Sequence, residues 1–195
     1  MRRTERFARA PLRTAWTAAR LVGPTGRVIA FEAHPVIYGY LSRNVEANGL
    51  SQVRALQLAL GEAPGQIEIV SVANPGESHV AARGEHASGA AVVAMATLDD
   101  VLAGEGIGPV DYLKIDVEGF ELPVLRGARR TIAASPAIVV QTELQDQHAS
   151  RYGFRTEEVA SLLSELGLRP HLPRSDGPPQ AAEGRLRGDI LWLRP

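Results

Sequence analysis

The chain has 195 residues, 45% hydrophobic and 22% charged, an ordinary globular balance with enough length for one sizeable core. A formal net charge of −1 gives no general attraction to nucleic acid or an anionic membrane, and the lack of cysteine excludes a disulfide framework, a thiolate metal site and a thiol nucleophile. No apolar run approaches the ~20 residues of a membrane span, and the arginine-rich residues 1–12 lack the apolar stretch of a secretory signal, so a cytoplasmic location is the default expectation.

Residues 13–22 are helix-permissive and stop at Gly23-Pro24. Arg27 to Glu32 reads as a buried strand ending in an acid, and His34-Pro35 opens a helix whose apolar stripe is Tyr38, Leu41 and Val45. Asn48-Gly49 ends that helix, and Val53 to Leu60 forms the next strand, closed by Gly61. Gln66 to Val72 alternates polar and apolar residues, which predicts a partly exposed strand. Ala73 to Ala91 has no periodicity and reads as a mobile loop.

A short strand over 92–95 leads to Thr97, a good N-cap for the helix beginning at Leu98. A strand over 111–117 precedes a helix over about 120–133 with Leu122, Leu125 and Ile132 inward. Ala137 to Thr142 is a buried strand. The helix 156–166 has Glu157 and Glu158 near its positive end and a core stripe of Val159, Leu162, Leu163 and Leu166. A polar loop over 173–185 precedes the last strand, Asp189 to Leu193. Strands alternating with helices imply βαβ units, a mostly parallel sheet and one domain.

The segment Asp111-Tyr112-Leu113-Lys114-Ile115-Asp116-Val117-Glu118-Gly119-Phe120-Glu121 stands out, because an apolar-rich run ends in two carboxylates and a glycine. In an open α/β sheet, ligands bind outside the carboxyl ends of the strands. Asp116 and Glu118 are two residues apart, which on an extended chain puts them on one side. Lys114 is the only lysine, a preference for arginine that reads as composition rather than function.

These residues resemble the FkbM family of S-adenosylmethionine-dependent methyltransferases over roughly residues 14–195. The resemblance rests on Leu21 to Pro35, on Ala59-Leu60-Gly61-Glu62, on Leu113 to Glu121 continuing through Leu125-Arg126-Gly127-Ala128, and on Leu166 to Pro170 with Ile190 to Leu193. It implies an α/β, Rossmann-like class I methyltransferase domain over 13–195. The sheet would be doubly wound and mostly parallel, with an antiparallel last strand.

By this resemblance S-adenosyl-L-methionine is the cofactor. Glu32 would hold the ribose hydroxyls, with a solvated strand-end acid as the alternative. Ala59, Leu60 and Gly61 would lie against adenine, or form a tight packing corner instead. Asp116 would bind the ammonium group of the cofactor or take a proton from a substrate hydroxyl. Glu118 would face the same cavity or stabilise the first turn of the following helix.

Glu143 is a third candidate inward carboxylate, one residue past its strand. Together with Asp116, Glu118 and His148 it could suggest a divalent cation, but no tight ligand spacing supports that, and structural roles are preferred. Of the remaining histidines, His79, His86 and His171 read as surface residues, while His34 could border the cofactor. The implied reaction is O-methylation of a small-molecule or sugar hydroxyl.

The chain departs from the family at its start. The family begins with a strand and a glycine turn of the type Asp-x-Gly-x-Asn-x-Gly, whereas no glycine precedes Gly23 here and residues 1–12 match neither element. Without that central strand, two buried edges lose hydrogen-bond partners, at ~1–3 kcal/mol for each orphaned group. The neighbouring strands could close up and pair, residues 4–10 could substitute, or the gene start could be misassigned. The expectation for these 195 residues is impaired cofactor binding. A non-catalytic interaction domain of the same fold is the competing reading. A nicotinamide-dependent oxidoreductase would also suit Glu32, but it needs an equally absent glycine fingerprint and leaves the acids at 116–121 without a role.

Overall fold

The computed structural model describes residues 10–70, 79–82 and 90–195, with side chains from residue 14 onward. It is an α/β protein with mixed sheets, arranged in two compact units. One unit is built from residues up to 59 and from 66–95, the other from 60–65 and 96–195. Among the described residues, no helix is long and apolar enough to cross a membrane.

In the first unit, helix α1 (Ala10–Val22) stops before Gly23 as expected, burying Ala15 and Ala19. Strand β1 (Val28–Phe31) pairs in parallel with β2 (Val53–Leu56), from Val28 opposite Val53 to Phe31 opposite Leu56. Between them runs helix α2 (Pro35–Ala47). Its buried residues are Ile37 and Leu41, four apart on one face, while Tyr38 and Val45 of the expected stripe are only half-buried.

The strand expected over 53–60 is two strands. After Leu56 the chain leaves its partner, and β3 (Ala59–Leu60) joins a different, four-stranded sheet with β4 (Gly65–Val70), β5 (His79–Val80) and β6 (Ala91–Ala96), in the order β3-β6-β4-β5. No glycine or proline lies between Val53 and Leu60, so the change of partner is a tertiary decision. Ile69 and Val70 are the buried end of β4, and residues 71 and 72 of the expected strand lie outside the described residues. Within the stretch expected to be a loop, His79 and Val80 form β5, antiparallel to β4, and Ala91 begins β6. Residues 73–78 and 83–89 lie outside the described residues.

The second unit holds the larger core. Thr97 caps helix α3 (Leu98–Gly104), its Oγ1 accepting from Asp100 N–H at 3.0 Å. Strand β7 (Tyr112–Ile115) is followed by α4 (Glu121–Arg126) and α5 (Arg129–Ala134), where one helix was expected over 120–133. Two features break it. A Cβ on Gly127 would lie 2.0 Å from the Gly61 carbonyl oxygen, so backbone meets backbone there without space for a side chain. Asp99 then takes both groups that a continuous helix would have joined: its N–H donates to Gly127 C=O at 2.9 Å, and its Oδ1 accepts from Thr131 N–H at 2.8 Å.

Strand β8 (Val139–Leu144), helix α6 (Asp146–Arg151), helix α7 (Thr156–Glu165) and strands β9 (Arg169–Leu172), β10 (Gln180–Ala181) and β11 (Gly188–Leu193) complete the unit. The sheet order is β10-β9-β11-β8-β7. β7 and β8 are parallel, and β11 lies antiparallel to β8, as expected of the last strand. Val140, Thr142 and Leu144 alternate into the core, where the Trp192 indole donates to Thr142 Oγ1 at 2.9 Å. Leu163 and Leu168 are fully buried, whereas Leu166 is only partly so. Arg194 caps helix ends by donating to the carbonyls of Ile132 and Leu166, each at 2.8 Å.

Among the described residues, β1 has only β2 as a ladder partner and β7 has only β8. Residue 10 belongs to α1, while residues 4–9 lie outside the described residues.

Candidate active site

At the carboxyl end of β7 the extended conformation stops at Ile115, so the expectation that Asp116 and Glu118 share a side through strand alternation does not hold. The chain turns instead, and Glu118 sits at φ 52°, the only positive φ on a non-glycine residue among the described residues. A left-handed non-glycine residue costs about 1–3 kcal/mol and persists only where its surroundings impose it. Here three contacts impose it. Glu118 Oε2 pairs with His148 Nδ1 at 2.8 Å. Gly119, at φ 100°, packs so closely on α6 that a Cβ would meet the His148 carbonyl carbon at 2.3 Å. Glu121 reaches back from the first turn of α4, its Oε1 accepting from Gly119 N–H at 3.1 Å and from Val117 N–H at 3.3 Å.

Glu121 is the residue that sequence reasoning passed over. Helix-terminus stabilisation was one role expected of Glu118, yet α4 begins at Glu121, which takes that position. Only 3% of Glu121 is exposed, and burial pushes its pKa from an ordinary 4.5 up to about 7 against the lowering effect of its backbone hydrogen bonds. The available signal was a glutamate two residues after a glycine at a helix start, which suits a side chain folded back on its own turn.

Asp116 Oδ2 accepts from Lys114 Nζ at 2.8 Å, leaving Oδ1 without a partner among the described residues. Burial lowers the Lys114 pKa, but the bond to Asp116 and the nearby charge of Asp189 outweigh it and raise it. The single lysine is therefore part of this strand tip, a placement that composition did not reveal. Glu143 lies inside β8 rather than one residue past it, opposite Asp189 of β11. It is half-buried on the face opposite Thr142 and accepts from Gln145 Nε2 at 2.7 Å. Burial raises the Glu118 pKa, His148 opposes that, and Asp116 and Glu143 add to it.

The structure thus brings Asp116, Glu118, Glu143 and His148 into one electrostatic neighbourhood. It does not assemble them as cation ligands: Asp116 is committed to Lys114 and Glu118 to His148. Among the described residues no group of three or more such side chains could hold a metal ion. The segment 144–155 contains α6. Asp146 anchors it, accepting from Thr156 Oγ1 at 2.6 Å and from Arg185 at 2.7 Å, and Phe120 packs edge-on against Tyr152 with ring centroids 5.2 Å apart.

The other predicted positions fall elsewhere. Glu32 follows β1, and its Oε1 accepts from His34 N–H at 2.8 Å, leaving Oε2 without a partner among the described residues. Burial raises its pKa. His34 is buried and caps α2, Nδ1 accepting from Val36 N–H at 3.2 Å. Ala59 and Leu60 are the two residues of β3, and Gly61 forms a tight packing corner with Gly127. His79 and His171 are half-buried within β5 and β9 rather than on open surface, and His86 lies outside the described residues. A groove of about 280 Å³ lined by Trp16, Leu41 and Asn44 carries no acid or base and so no chemistry of this kind.

Mixed α/β sheets with acids at the carboxyl ends of parallel strands describe a Rossmann-like methyltransferase fold. A solved structure of similar fold is Methyltransferase FkbM from Methylobacillus flagellatus KT, with TM-score 0.52 and 17% identity, covering 94% of this chain and 42% of that one. The sequence model of the Methyltransferase FkbM domain matches residues 8–170, and the chain belongs to that family. Methyltransferase sdnD of Sordaria araneosa is 36% identical, over 53% of this chain and 52% of its own length. Hexuronic acid methyltransferase AglP of Haloferax volcanii is 25% identical, over 89% and 67% respectively. The chain thus spans about half to two thirds of the curated relatives it matches.

Proposed function

We propose that this protein is an S-adenosylmethionine-dependent methyltransferase that methylates a hydroxyl oxygen on a small molecule or sugar. The observation that carries the reading is the acid-rich tip of β7 in a chain of the FkbM family. The cofactor supplies an activated methyl group on a sulfonium centre, and the residues present fit it. Glu32 offers a carboxylate oxygen to the ribose hydroxyls, its partner oxygen already fixed by His34 N–H. Asp116 offers Oδ1 to the ammonium group or to the acceptor hydroxyl while Lys114 fixes Oδ2. Ala59, Leu60 and Gly61 are small or apolar, as a flat ring requires, and the close packing of Gly61 on Gly127 holds that backbone in place.

Asp116 and Glu118 are the catalytic candidates. Methyl transfer is an in-line displacement, so their work is alignment of the acceptor and care of its proton. The name of the haloarchaeal relative suggests hexuronic acids as the first acceptors to try. The test is calorimetric titration of the chain with S-adenosylmethionine, then release of S-adenosylhomocysteine in the presence of methyl glucuronoside and related acceptors. No binding at millimolar cofactor would sink the reading for this chain. Turnover on an amine but not on a hydroxyl would sink the O-methylation part alone.

A further inference from the structure

We infer that Glu118 and His148 form an oriented dyad in which His148 Nε2 is the base that receives the acceptor hydroxyl proton. This rests on the methyl-transfer reading above and assigns the proton within it. The geometry is that of a carboxylate fixing an imidazole. Glu118 Oε2 lies 2.8 Å from His148 Nδ1 as an ion pair, which assigns the ring hydrogen to Nδ1, facing the carboxylate, and leaves the Nε2 lone pair of a neutral ring for the acceptor. The His148 side chain is 26% exposed, and Nε2 has no partner among the described residues.

The dyad is held from both sides. Glu118 is kept in a left-handed conformation that is unfavourable for a glutamate, and the lack of a Cβ at Gly119 lets the turn touch the His148 backbone. Glu121 bonds the amides on either side of Glu118. Asp146, two residues before His148, is anchored by Thr156, Arg185 and Arg187. Of the other charged groups that act on Glu118, Asp116 and Glu143 favour a cation beside it and Arg151 opposes them. A glutamate placed at a strained φ, with two backbone donors fixed around it, is poorly explained as a surface ion pair.

In the step this implies, the acceptor oxygen forms its bond to the methyl carbon as its proton passes to Nε2. The carbon–sulfur electron pair leaves with sulfur as a neutral thioether. The imidazolium is stabilised by the Glu118 carboxylate and afterwards gives its proton to water. Base catalysis of this kind is worth about 10²–10⁴-fold.

The experiment has two arms. Nitrogen-15 NMR of histidine-labelled chain reads the His148 tautomer: wild type should carry the hydrogen on Nδ1, and Glu118→Ala should lose that preference. A wild-type ring protonated on Nε2 in its neutral state overturns the inference. In the second arm, turnover of methyl glucuronoside is measured with His148→Gln, Glu118→Ala and Glu118→Gln. His148→Gln should lower kcat by at least about 10²-fold with the S-adenosylmethionine affinity unchanged within twofold. Glu118→Gln, which keeps an acceptor for Nδ1–H, should retain more activity than Glu118→Ala. Full activity in His148→Gln overturns the inference. If wild type neither binds cofactor nor turns over any acceptor, the methyl-transfer reading fails, and an Nδ1–H tautomer that depends on Glu118 still supports the oriented base.

Discussion

The tips of β1 and β7 both end in carboxylates, yet they are built differently. At β1, Glu32 is held by the N–H of His34 two residues on, and His34 caps the helix that follows. Every one of those bonds is local and could form in a short peptide. At β7, Glu118 is held by a histidine thirty residues away, beneath a glycine packed on that histidine's backbone. The Glu32 carboxylate is thus held by a sequence neighbour and the Glu118 carboxylate by tertiary packing. Substitutions should therefore be far more damaging at the second.

The largest effect is expected for Gly119→Ala. The new Cβ would meet His148 backbone at 2.3 Å, at a φ of 100° that alanine resists. Overpacking and strain together should cost about 4 kcal/mol in urea unfolding. A loss below about 1 kcal/mol would mean the β7 tip is looser than its contacts imply.

Glu121→Gln sharpens the comparison through pH. The folded-state pKa of Glu121, about 7, is above its ordinary 4.5, so the fold favours the protonated acid. Its contribution is fully present below the unfolded value and is lost as pH rises through about 7, an integrated change of about 3 kcal/mol. Glutamine cannot ionise. The stability of wild type relative to the variant should therefore fall between pH 5 and pH 8, and a difference independent of pH would refute the burial argument.

Smaller effects belong to β1. His34→Ala removes a helix cap and should cost about 1 kcal/mol by thermal unfolding. Glu32→Gln should change stability by less than about 1 kcal/mol, since the bond its side chain accepts from His34 N–H can be kept by an amide oxygen. If Glu32 holds the ribose, the same variant should weaken S-adenosylmethionine by roughly tenfold in calorimetry, as expected for a charge-assisted hydrogen bond. A variant unfolded at room temperature would reverse the ranking of the two tips.

The pattern of legibility follows the same line. Helix starts at Thr97 and His34-Pro35 and the stop at Gly23 were readable because caps and breakers are local, whereas the antiparallel direction of the last strand came from the family resemblance. The split of 53–60 into β2 and β3 was not, since nothing between Val53 and Leu60 marks a change of partner. The break between α4 and α5 depends on Asp99 and Gly61, both distant in sequence. Asp116 and Glu118 stood out as candidates from their position at a strand end, but the alternation used to pair them failed where the chain turned.

Sequence alone determined the family and the acids at the strand tips, because these follow from residue type and short-range spacing. Only the tertiary structure decided what the acids do with one another. It joined Lys114 to Asp116 and His148 to Glu118, and it buried Glu121 beneath the turn between them. The physical reason is that a carboxylate's behaviour depends on which donors and how much water surround it, and here His148, the decisive partner, comes from a different element of the chain.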